Sequence, residues 1–190
     1  DSGGLFLAKL RRLEAPGERG APWTPVSGVF PGDDMAMEEA RTLAARARDY
    51  LLDRFGVPRE TMDRFRVIFR GGRAWFHTLD AWPLDAWSDG PWRPISVGFR
   101  AVEFDGQGRP RPTNDLLQAL GPALGAGRLE LTADELRRVL KREELERGGV
   151  PPGYLALDWK GTVLGRGFSS GEEVRSEVPK ARVADLARIL

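Results

Sequence analysis

The chain has 190 residues, 41% hydrophobic and 30% charged, a balance typical of soluble globular proteins and enough material for one domain or two small ones. Its formal net charge of +1 excludes whole-molecule attraction to nucleic acid or an anionic membrane, so any such function must come from a local patch. There is no cysteine and one histidine, His77, which excludes disulfides, thiolate chemistry and cysteine-based zinc sites.

In chain order, LFLA at 5–8 followed by KLRR reads as a buried strand leading into solvent. It is too short to span a bilayer, and its positive charges follow the apolar run where a signal peptide would put them first. A soluble, cytoplasmic protein is therefore expected, and the lack of cysteine fits a reducing compartment. A lone strand needs neighbours, and the absence of a starting methionine is compatible with a strand whose sheet partners lie upstream. Residues 14–33 are rich in proline and glycine and read as linker.

Asp33 and Asp34 suit a helix start, and Ala36, Ala40, Leu43, Ala44, Ala47, Leu51 and Phe55 recur at helical spacing until Gly56 and Pro58. FRVIF and RAWFHTL, around a Gly-Gly pair, predict a β-hairpin over 65–80. Trp82, Trp87 and Trp92 follow among prolines. Such a stretch suits core filling better than ligand stacking. Residues 95–104 predict a strand that turns at DGQG, and Thr113-Asn114 caps a short helix that Gly121 closes. RLEL at 128–131 predicts a strand, and Thr132 with Glu135 forms a capping box for a helix through ADELRRVLKREEL. Residues 153–168 predict a second hairpin around Trp159-Lys160-Gly161, and an apolar tail, ADLARIL, ends the chain.

The pattern predicts an α+β protein with two small domains. A stub strand and linker occupy 1–32, a helix-plus-sheet middle domain 33–124, and a C-terminal domain 125–190.

Candidate chemistry is sparse. His77, Asp80 and Ser88 are the residue types of a triad, but His77 on an alternating strand reads as an ordinary sheet residue. Gly165-Arg166-Gly167 lacks both the third glycine spacing and the following helix of a phosphate loop. Asp105-Gly106-Gln107-Gly108 has too few oxygen ligands for calcium. The basic residues of the last hairpin and its sequel say more. Lys160 at the tip, Arg166 between two glycines, then Arg175, Lys180 and Arg182 would converge on one edge if the segment folds back. Convergence suits phosphate contacts; interruption by Glu172, Glu173 and Glu177 suits a solvated face. From charge alone the two readings stand level.

Leu-Gly-Arg-Gly at 164–167 and Val-Arg-Ser-Glu-Val-Pro-Lys at 174–180 resemble the C-terminal PUA-type domain of RsmF-like bacterial proteins, RNA cytosine methyltransferases of the Sun (Fmu) superfamily. Leu164, Gly165, Gly167, Pro179 and Lys180 match the family's pattern, and Val174 and Arg175 are conservative replacements. Ser176 departs from the usual asparagine. LTADELRRVLKREEL resembles the helix before that domain, and GLFLAKL the strand that closes the methyltransferase sheet. The resemblance implies a PUA-like mixed β-barrel over 125–190. It implies an RNA-binding, substrate-positioning C-terminal region of an enzyme that methylates carbon 5 of cytosine in small-subunit ribosomal RNA.

Phosphate contacts would then be Lys160, Arg166, Arg175, Lys180 and Arg182, and Trp159 would either stack on a base or fill the core. The family's catalytic cysteines and its S-adenosylmethionine-binding glycine loop are absent from this chain, so no cofactor is expected in it and catalysis would belong to an upstream domain. The implied partners are structured ribosomal RNA or the small subunit and that catalytic domain. The chain is expected to be monomeric, without a membrane. The rival reading is a protein-interaction module using sheet edges and the tryptophan-rich stretch. A small hydrolase centred on His77 ranks last.

Overall fold

The structure, a computed structural model, describes residues 29–30, 36–70, 72–78 and 98–189. The expected strand at 5–8, Asp33, Asp34, Asp80, Ser88 and the three tryptophans at 82, 87 and 92 lie outside the described residues.

Helix α1 spans Met37–Phe55. It starts after Ala36, which offers no side-chain cap, and Glu38 and Glu39 in its first turn supply the favourable charge at its positive end. Ala40, Ala44, Ala47, Leu51 and Phe55 form its buried stripe. Small residues at the start of that stripe let the helix lie close to the sheet, and Phe55 closes the lower end. Gly56 at φ 60° ends it, with its N–H and that of Val57 returning to the carbonyls of Leu52 and Leu51. A single turn, α2 (Arg59–Met62), follows.

The first sheet has the order β1 (Val29–Phe30), β2 (Phe65–Arg70), β3 (Arg73–Thr78), β4 (Phe99–Phe104) and β5 (Pro110–Pro112). β1 runs parallel to β2, and all other pairs are antiparallel. The expected hairpin is present, with Arg70 opposite Arg73 and Gly72 at φ 68° in the turn. Two short strands differ from expectation. β1 lies inside the stretch read as linker, and β5 is Pro-Arg-Pro, tolerated because it is the edge where proline's missing N–H costs no ladder bond. Val67, Phe69, Ala74, Phe76, Ala101 and Val102 belong to one core with residues of α1 and of α3 (Asn114–Ala119).

The second sheet has the order β6 (Arg128–Glu130), β8 (Gly153–Trp159), β9 (Thr162–Ser169), β10 (Glu173–Ser176) and β7 (Leu145–Glu146). Only β6 and β8 are parallel. Helices α4 (Ala133–Lys141) and α5 (Lys180–Ile189) pack together over a core of Leu129, Leu131, Leu136, Val139, Leu145, Leu155, Leu157, Leu164, Val174, Val178 and Val183. The capping box is present: Thr132 Oγ1 accepts from the Glu135 N–H, and the Thr132 N–H donates to Glu135 at 2.7 Å. α4 stops at Lys141, short of Leu145, because Leu145 is buried in β7 opposite Val174. α5 takes up the segment expected as a tail, burying Val183.

The molecule is therefore α+β, with two cores and a curled, half-barrel sheet. Between the cores, α3 lies on β9. Gln118 donates to the Leu164 carbonyl at 2.7 Å, and Arg54 of α1 donates to the carbonyls of Tyr154 and Pro151. Ala156 and Val163 of the second sheet belong to the first core, so the two halves share a buried apolar contact.

Candidate phosphate-binding cleft

Gly165-Arg166-Gly167 sits in the middle of β9, and both glycines are there for packing. A Cβ on Gly165 would lie 2.4 Å from Asn114 Oδ1, and one on Gly167 would lie 3.0 Å from Leu155 and Leu157. The close approach is made by Asn114 of α3, whose Oδ1 accepts from the Arg166 N–H at 2.7 Å and whose amide donates to the Glu177 carbonyl at 3.1 Å. The motif thus ties the two halves together.

The same arrangement sets the position of Arg166. Its side chain is only 8% exposed, pairs with Glu177 at 2.5 Å, donates to the Pro112 carbonyl at 2.5 Å and lies over the Tyr154 ring. Expected as a surface cation, it is the buried floor of the site. Glu177, expected to interrupt a basic run, is instead its organising carboxylate. It accepts from Arg111 and Arg166 on one oxygen and from Arg175 on the other. Burial raises the Glu177 pKa, but the Arg166 charge, the hydrogen bond from Arg175 and the Arg111 charge outweigh it and hold the carboxyl below the usual range. Burial acts to lower the pKa of Arg166, and the Glu177 charge opposes it. A guanidinium stays protonated across the working range in any case.

Around this hub, Arg111, Arg142, Arg166, Arg175 and Lys180 line an open cleft of about 380 Å³, with Ser176, Val178 and Pro179 between them. Five cations face one carboxylate. They come from β5, the end of α4, β9, β10 and the start of α5, so the concentration of charge exists only in the folded chain. Arg111 belongs to the first sheet, Arg166 and Arg175 to the second, and Arg142 and Lys180 to the helices packed on the second core, which makes the cleft a joint product of both halves.

Of the five expected contacts, Arg166, Arg175 and Lys180 meet here and two do not. Lys160, at φ 49° in the turn of the last hairpin, lies over the ring of its neighbour Trp159 at 5.0 Å. Thr162 and Arg166 are separated by four steps along β9, roughly 13 Å at strand spacing. Arg182 faces Asp115 at 3.8 Å. Trp159 packs half-buried against the second core. Sequence reasoning missed Arg111 and Arg142. Arg111 carried one local signal, an arginine between two prolines just before a capping threonine.

His77 stands on β3 opposite Arg66, away from the cleft. Among the described residues no group of three or more histidine or carboxylate side chains could hold a metal, and no helix is long and apolar enough to cross a membrane. Comparison of the sequence with protein-family models finds no match, and comparison with curated proteins finds none either.

Proposed function

We propose that this chain binds structured RNA by its phosphate backbone at the cleft, and that it does so as the PUA-like, substrate-positioning C-terminal region of an RNA cytosine methyltransferase. The reading is carried by one observation: five cationic side chains from five separate segments converge around a single, already occupied carboxylate. A solvated face has no need of such convergence, because like charges brought together repel unless an anion joins them. Arginines with free N–H groups suit phosphate oxygens, which accept paired bonds. Such contacts fix register on a folded RNA without reading its bases. Arg166, Pro179 and Lys180 of the motifs that carry the resemblance line this cleft, and the chain's lack of cysteine supports assigning the cytosine-methylation chemistry to another domain.

The test is affinity for a folded small-subunit ribosomal RNA fragment. Replacing Arg175 and Lys180 by serine should weaken binding at least tenfold. Replacing the exposed Arg41 and Arg109, which line no part of the cleft, removes the same charge and should leave binding within about twofold. Equal effects of the two pairs would refute a localised site. An absence of binding, with capture of a protein partner through the first sheet instead, would favour an interaction module.

A further inference from the structure

Helices α1 and α4 end in the same way. In each, one left-handed residue and its successor return their N–H groups to carbonyls of the last turn. In α1 the left-handed residue is Gly56, as sterics favour. In α4 it is Arg142, at φ 65°. An arginine here gives up conformational ease, and the bonds its side chain makes do not explain the choice. Its head reaches the Val178 carbonyl only at 3.5 Å, and it makes no ion pair among the described residues. What the position does achieve is to aim a cation into the cleft. Lys180, which also lines the cleft, is exposed and likewise makes no ion pair among the described residues. A non-glycine residue held left-handed, whose side chain makes one long bond and lines a cationic cleft, points to a ligand.

We infer that the cleft contains one fixed phosphate subsite, bounded by Arg142, Arg175 and Lys180, and that Arg142 keeps its left-handed place for that phosphate. This rests on the RNA reading of the same cleft and narrows it, from a track of contacts to one anchored group. Glu177 is the permanent half of the anion set, occupying Arg111 and Arg166 at the floor. The ligand is the exchangeable half, facing Arg142 and Lys180, which make no ion pair with Glu177, and the 61% exposed Arg175, which Glu177 holds through one oxygen at 3.2 Å. The compactness of the cleft and the separation of Lys160 and Arg182 from it argue against a continuous track.

Arg142→Gly separates a structural role from a ligand role, because glycine relieves the backbone while deleting the cation. The full chain and this variant are titrated with inorganic phosphate against chloride at matched ionic strength, followed by thermal unfolding and by phosphorus NMR. The expected result is saturable binding of one phosphate that raises the melting temperature of the wild type. The variant should melt no lower than the wild type in chloride and bind phosphate at least tenfold more weakly. A lower melting temperature in chloride, or unchanged phosphate binding, overturns the inference.

Competition against labelled RNA separates the two readings. RNA that binds through the cleft yet ignores phosphate removes the single subsite and leaves RNA binding standing, whereas failure of RNA itself removes both. Oligonucleotides with and without a 5′-phosphate identify the source of the group. Equal competition by both supports the subsite with a backbone phosphate, and competition by the phosphorylated form alone supports it with a chain end.

Discussion

Glu177→Gln removes one charge and little volume from the centre of the cleft, and the structure says where the loss falls. Arg111 and Arg175 are 43% and 61% exposed, so water replaces most of what they lose. Arg166, 8% exposed and fixed by the Pro112 carbonyl, gains little from water and is left as a largely buried charge without its counter-ion. Breaking one partner of such a pair costs about 3 kcal/mol. For a chain of this size that corresponds to a fall of about 6–12 °C in melting temperature. The pH dependence adds a signature. The folded Glu177 pKa lies below its unfolded value, so its contribution is complete above about pH 5 and is lost as pH falls through the depressed folded value. Urea midpoints at pH 7 and pH 4 should therefore differ more for the wild type than for the variant. A loss under about 0.5 kcal/mol at pH 7, or the same pH dependence in both proteins, would refute the hub as the element that holds the halves together.

Two further outcomes test the local architecture. Gly165→Ala would drive a methyl into Asn114 Oδ1 and Val178, costing about 2 kcal/mol in chemical denaturation; a neutral result would mean that α3 does not press on β9 as described. Thr132→Ala removes the capping box of α4 and should cost about 1 kcal/mol, checked by the same urea midpoint, while leaving RNA affinity unchanged because Thr132 lines no part of the cleft.

What the sequence made legible was what is written in nearest neighbours. The alanine-leucine stripe of α1, the first hairpin with Gly72 in its turn, the Lys-Gly turn and the Thr132–Glu135 box each encode a local geometry, and each appears in the structure. The cleft was only half legible, for a physical reason. Whether Arg166 faces water or Tyr154 depends on α3 docking across β9, a contact between residues more than fifty positions apart. Glu177 reads as an interruption in sequence because its three arginine partners come from two sheets. Helical periodicity carried α4 past its end, because what stops it is the burial of Leu145 against β10, a tertiary effect that outweighs propensity.

The most direct test of RNA binding at this cleft is the salt dependence of affinity for a folded ribosomal RNA fragment, for the wild type and for the Arg175→Ser, Lys180→Ser variant. One backbone phosphate held by Arg142, Arg175 and Lys180 predicts a slope of log affinity on log salt of about −1 for the wild type, falling toward zero in the variant. A wild-type slope near zero, or one that the two substitutions leave unchanged, would contradict phosphate binding at this cleft.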